Sequence, residues 1–228
     1  MSDLVYFHKS KLDTLADKIN EKVGGVEPLS LDEMITKAED IRLIEMLESK
    51  TSLTYAMSYS SLPTFPYFKV NKAVKSMNYF CTNSKFVELP KLDTSKVEKF
   101  EYAFSNCLIK EITIDSSSAT TMVGTFSSDN FLVTISKLDV SKCVAADSLK
   151  NTFHYCTALK NVFFVENSIR VSVSFANSPL LSAESVQSII DGLATVTTAQ
   201  TITFHKDIAL TDAQKQTINE KGWTLVQA

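Results

Sequence analysis

Seven side chains carry the usual nucleophilic and metal-ligating groups: His8, His154 and His205, with Cys81, Cys107, Cys143 and Cys156. Their spacing argues against a reactive centre. A zinc site needs four ligands, or three and a water, usually supplied in tight pairs. No C-x-x-C pair occurs, and His154, Cys156 and Cys143 make only a fragment of such a set. No cysteine sits in a recognisable activating context for a thiolate. Neither G-x-x-x-x-G-K-[ST] nor G-x-G-x-x-G is present, so no phosphate-cradling loop is expected. The carboxylates are scattered. Asp93, Asp115 and Asp139 recur once per repeat two residues before a serine, where they are expected to close turns by accepting from nearby backbone amides. The reading is a chain with no catalytic site, no metal and no cofactor.

Composition narrows the partners. The net charge is −3, without the basic footprint of a nucleic-acid binder. No run of 18 apolar residues exists, so no membrane span is expected. The start, Met1-Ser2-Asp3-Leu4-Val5-Tyr6, lacks the basic-then-apolar order of a secretion signal. Hydrophobic residues make up 44% of the 228, enough for a core that needs no staple. The cysteines therefore read as small buried thiols, with a disulfide pair as the alternative.

The elements that carry these side chains follow from a repeat of about 23 residues. A central slot holds Met57, Cys81, Phe104, Phe126, Phe153 and Phe175, with steps of 24, 23, 22, 27 and 22 residues. Four residues earlier stand Leu53, Met77, Phe100, Met122, Leu149 and Val171, all apolar. Three residues later stand Ser60, Ser84, Cys107, Asp129, Cys156 and Ser178, small or polar. The extra residues of the long step are assigned to a loop over 142–147. After each signature comes an alternating stretch: 87–89, 111–114, 133–135 and 161–164. Each predicts a short strand, paired in parallel with its neighbours. One repeat cannot bury its apolar face alone, so the pattern predicts an α/β solenoid with inward phenylalanines and a cover at each end.

The flanks differ. Over 1–50, apolar residues keep helical spacing from Leu12 to Ile19 and from Leu31 to Leu47, with Gly24-Gly25 as a stop and Ser30 to Glu33 as a capping box. Over 181–228, Ser182 begins a helix ending near Gly192, Thr201 to Phe204 is a strand, and Thr211 to Gln214 is a capping box for a helix stopping at Gly222. Trp223, Leu225 and Val226 are expected to lie across the final coil. The expected division is 1–50 for a helical attachment or cap region, 51–180 for the repeats and 181–228 for a C-terminal cap.

The outward positions of the strands should form columns across one sheet face: Glu88, then Glu111 and Thr113, Thr134 and Ser136, Asn161 and Phe163. Repeat proteins commonly bind through such faces. Phe163 either anchors an interface or packs beneath the C-terminal region.

Tyr102-Ala103-Phe104-Ser105-Asn106-Cys107-Leu108 and Phe153-His154-Tyr155-Cys156-Thr157-Ala158-Leu159 resemble the A-F-x-x-C-x-x-L core of BspA-like leucine-rich repeats. Leu92-Asp93-Thr94-Ser95-Lys96-Val97 is similar to the linker between such repeats in bacterial surface proteins. Leu15 to Gly25, Leu29 to Met34 and Leu181 to Leu193 resemble segments of phage and prophage tail-associated proteins. The resemblances imply a leucine-rich-repeat solenoid in a non-enzymatic, adhesion-type virion protein that recognises a protein or a surface glycan. The N-terminal helices would then serve attachment or pair two copies. The expected place is the virion, or the host cytoplasm before assembly. The alternative is an adhesion module at the bacterial cell surface.

Overall fold

The computed structural model describes residues 42–62, 65 and 68–228. The expected helical stretch from Leu12 to Ile19, the Ser30 to Glu33 capping box, the Gly24-Gly25 stop and His8 lie outside them. The chain separates into two compact units, Met1–Ser49 and Lys50–Ala228. In the first, residues 42–48 are helical (α1), and Ser49 closes the end by donating its amide to the Glu45 carbonyl at 3.1 Å.

The second unit is mixed α/β, with two small parallel sheets and no closed barrel among the described residues. One sheet runs β1 (Glu111–Ile112), β2 (Thr134–Leu138), β3 (Asn161–Phe164). The other runs β4 (Val173–Phe175), β5 (Gln200–Phe204), β6 (Trp223–Gln227). Helix α2 (Ala183–Gly192) connects β4 to β5, and α3 (Asp212–Glu220) connects β5 to β6.

Five of the six signature copies fold as a tight turn whose amides divide their partners by position. In the third copy, Phe100, Tyr102, Phe104 and Asn106 donate to the carbonyls of Thr121, Val123, Thr125 and Ser127 in the next copy. Between them, Ala103 and Ser105 donate backwards to Phe100 and Tyr102. Copies one, two and four hand their amides forward in the same way, giving 16 such bonds in all. The geometry requires a left-handed residue two before and two after the central slot: Tyr55 and Tyr59, Tyr79 and Asn83, Tyr102 and Asn106, Gly124 and Ser128, Asn151 and Tyr155. Asn and Gly tolerate positive φ well, whereas tyrosine there stores strain that the ladder of bonds must offset. Stacking helps offset it. The Tyr55 and Tyr79 ring centroids lie 4.7 Å apart, those of Tyr79 and Tyr102 5.2 Å. Gly124 ends this stack, because a Cβ there would fall 2.3 Å from Tyr102 Cε1.

The sixth copy takes a different form. Val173 stands where a left-handed residue is needed, and a β-branched side chain does not adopt that conformation. The segment becomes strand β4 instead.

Phenylalanines fill the interior as an unbroken column. Ring centroids separate by 6.1 Å from Phe104 to Phe126, 5.8 Å from Phe126 to Phe153, 4.5 Å from Phe153 to Phe175 and 6.2 Å from Phe175 to Phe204. All are at most 1% exposed, and each such burial contributes about 2–3 kcal/mol. In the second copy, where Cys81 holds the slot, the neighbouring Phe80 ring supplies the volume and meets Phe104 at 6.4 Å.

Two expectations fail. Residues 87–89 form no strand: Phe86 takes the inward place, Val87 turns out to 52% exposure, and Pro90 has no amide to give a ladder. Trp223 to Gln227 does not lie across the last coil but adds β6 in parallel to β5. The C-terminal helices begin as expected. Ser182 caps α2 by accepting from the Ser185 amide at 3.2 Å, and Thr211 with Gln214 forms the capping box of α3. Residues 142–147 are an exposed loop around the buried Cys143.

Candidate functional site

The sheet face is organised by the register of its strands. Glu111, Thr134 and Asn161 are direct partners across β1, β2 and β3. Glu111 is exposed, Thr134 and Asn161 are half-buried, and Asn161 Nδ2 donates to Thr134 Oγ1 at 3.3 Å. The first expected column is therefore in register from β1 to β3.

The second column is not continuous. Thr113 is exposed but lies beyond the end of β1. The register shifts between Ile135 and Leu138, so Ser136 and Lys137 together occupy the stretch opposite Phe163. Such a bulge re-aims side chains. Ser136 Oγ accepts from the Ile114 amide at 3.3 Å, and Lys137 becomes an exposed cation at the face. Phe163 is half-buried on β3.

Helix α2 closes the far side of this sheet. The β3 amides of Val162 and Phe164 would seek a fourth strand. They donate instead to Ser185 Oγ at 2.9 Å and Ser188 Oγ at 3.0 Å. Gly192 allows this close packing, since a Cβ there would stand 2.8 Å from Phe164 Cβ. At the opposite side, where 87–89 fails to pair, a groove of about 500 Å³ opens, lined by Val87, Glu88, Leu89, Lys110 and Glu111. It unites Glu88 with Glu111, as the column expectation has them, though Glu88 is not on a strand. Lys110, Val87 and Lys137 were not picked out by alternation. Lys110 precedes the strand, and a bulge leaves no mark in a pattern of period two.

The turn carboxylates act as expected. Asp93, Asp115 and Asp139 each accept from the amide two residues on, Ser95, Ser117 and Ser141, at 3.2, 3.0 and 3.0 Å. The Ser95 hydroxyl, donating to Asp93 at 2.7 Å, holds that carboxyl below its usual range.

The strongly perturbed acids lie in the core and not on the face. Asp129 is 1% exposed, and burial, with Cys107 beside it, pushes its carboxyl to about 10. Its Oδ1 accepts from the Cys107 amide at 2.6 Å, while Oδ2 has no hydrogen-bond partner among the described residues. Burial and then Asp139 push the Cys143 thiol to about 12. Burial also raises Cys156. All four cysteines are free and buried. His154 is exposed, its ring set edge-on against Tyr155, and no set of three or more His, Cys, Asp or Glu converges among the described residues. No described helix is long and apolar enough to cross a membrane.

Comparison of the chain with family models, with curated proteins and with solved structures finds no match.

Proposed function

We propose that residues 50–228 are a solenoid of leucine-rich-repeat type, and that the chain is a non-enzymatic, adhesion-type protein of a phage or prophage tail. It recognises a protein or a surface glycan through the β1–β3 face. The observation that carries this reading is the in-register row Glu111, Thr134, Asn161 beside the Glu88–Lys110 groove. Parallel strands place such residues about 4.8 Å apart on a rigid frame. An extended row of carboxylate, hydroxyl and amide groups suits a ligand rich in hydroxyls or backbone amides. The perturbed acids and thiols are sealed in the core, which favours binding over catalysis.

Three experiments test it. Virions purified from an induced host should contain the chain by mass spectrometry. Its absence from particles removes the virion assignment and favours the cell-surface module. The Glu111→Ala/Asn161→Ala variant should bind host envelopes at least tenfold more weakly, with its melting temperature unchanged. Undiminished binding removes the face. Phe163→Ala behaves like that variant if the ring anchors the partner; a lower melting temperature at unchanged affinity assigns the ring to packing.

A further inference from the structure

The thiols are the reactive groups that a binding function leaves unused. Cys81 occupies the central slot of the second copy, and its Sγ lies 3.9 Å from Cys107 Sγ of the third. The two are 0% and 2% exposed. Their surroundings fix them face to face. Cys107 Sγ donates to the Cys81 carbonyl at 3.0 Å, Ser84 Oγ stands 3.6 Å from Cys107 Sγ, and Asp129 pins the Cys107 amide. Cys81 Sγ also donates to the Ala103 carbonyl at 3.4 Å, and Cys143 and Cys156 direct their thiols at the carbonyls of Ala119 and Phe126, at 3.3 and 3.0 Å.

A disulfide has its sulfurs about 2.05 Å apart, so this pair need close by only about 1.9 Å. Giving up the thiol-to-carbonyl bonds of Cys107 to Cys81 and of Cys81 to Ala103 frees the rotations that bring them together. We propose that Cys81 and Cys107 are a latent cross-link site, which closes into a disulfide between adjacent turns when the chain meets a small-molecule disulfide. The Cys107 thiolate attacks one sulfur of that reagent and expels one thiolate, leaving a mixed disulfide. The Cys81 thiolate then attacks the Cys107 sulfur and expels the second. Two electrons pass from the protein thiols to the reagent, and the two protons end on the two released thiols. Because both sulfurs are buried, the reaction waits on local opening of the turns or occurs as the chain folds. Outside a reducing compartment the cross-link persists. It ties copies two and three through a loop of about 26 residues and limits the unfolded chain accordingly. The inference does not depend on what the sheet face binds.

The full chain is refolded in glutathione disulfide and glutathione, alkylated, and digested with trypsin without reductant. A joined pair of peptides 76–85 and 100–110 is expected, with two of the four thiols lost and the melting temperature about 5–10 °C higher than in the reduced protein. Cys81→Ser and Cys107→Ser should each lose the joined peptides and the shift, while Cys143→Ser and Cys156→Ser keep both. Four alkylated cysteines in folded wild-type protein, glutathione adducts alone, or a bridge of another pairing would overturn the proposal. The wild-type peptide map decides the matter even if a serine variant does not fold.

Discussion

The turn-built copies 53–156 and the helix-built rungs 161–227 share one interior and solve its polar accounting differently. In the first region, successive copies are joined at the tight turn and again at the strand side, as where Val133 and Thr134 both donate to the Lys110 carbonyl. In the second, helices α2 and α3 satisfy their own backbone, and rungs meet through β4, β5 and β6. Strand starts lie 27 and 23 residues apart there, within the range of the steps before. Repeat length therefore does not select the connection. Local chemistry does: Asn and Gly at left-handed positions favour the turn, and Ser182 or Thr211 ahead of an amphipathic stretch favours the helix. Lys221 then binds the end of α2 to the last rung, donating to the carbonyls of Ile190, Asp191 and Leu193 at 3.0, 3.1 and 2.7 Å.

The largest contrast should come from the shared core. Phe153 lies between Phe126 and Phe175, so Phe153→Ala leaves a cavity with rings on both sides, expected to cost about 3–5 kcal/mol in urea unfolding. Phe204→Ala, at the end of the column, should cost less. Equal losses would deny that a ring flanked on both sides in the turn-built region contributes more than the one at the column's end in the helix-built region.

Next in size is a pH effect confined to the turn-built region. The Asp129 carboxyl sits at about 10 in the folded chain, against 3.8 for the ordinary group. Below that ordinary value both states are protonated and nothing is lost. As pH rises toward 10 the unfolded state ionises and the folded state does not, so stability falls by up to about 1.4 kcal/mol per pH unit. Between pH 6 and 8 the wild type should lose about 2–3 kcal/mol, and Asp129→Asn, which keeps an acceptor for the Cys107 amide, should flatten the slope. An unchanged slope would place the titration elsewhere.

The smallest effect marks the junction. Ser185→Ala leaves the buried Val162 amide without an acceptor and should cost about 1–2 kcal/mol, seen first as faster hydrogen exchange at Val162. Protection there unchanged from the wild type would mean that α2 does not seal the sheet edge.

Much of this was legible in the sequence. Apolar slots at a fixed period located the inward phenylalanines, because burial is the strongest demand on residue type, and the caps of α2 and α3 follow from side-chain chemistry one turn away. Three features were not legible. Tyrosine has no preference for the left-handed region, so Tyr55, Tyr79 and Tyr102 give no local signal of the turn. The failed strand at 87–89 depends on Phe86 outcompeting Val87 for the interior, which is decided by packing. The face lost its second column to a bulge, whose register is fixed by the neighbouring strands and not by β2 itself.

The 16 forward-running amide bonds all point the same way, from each turn to its successor. Strand dipoles in ordinary sheets largely cancel, but these add as they do along a helix. The turn edge is thus an electret, with partial negative charge at the carbonyls of Ser52 to Ser58 and partial positive charge at the amides near Tyr155. At that positive end the Tyr155 amide meets the Asn177 side-chain oxygen at 3.3 Å, where the polar rail runs out.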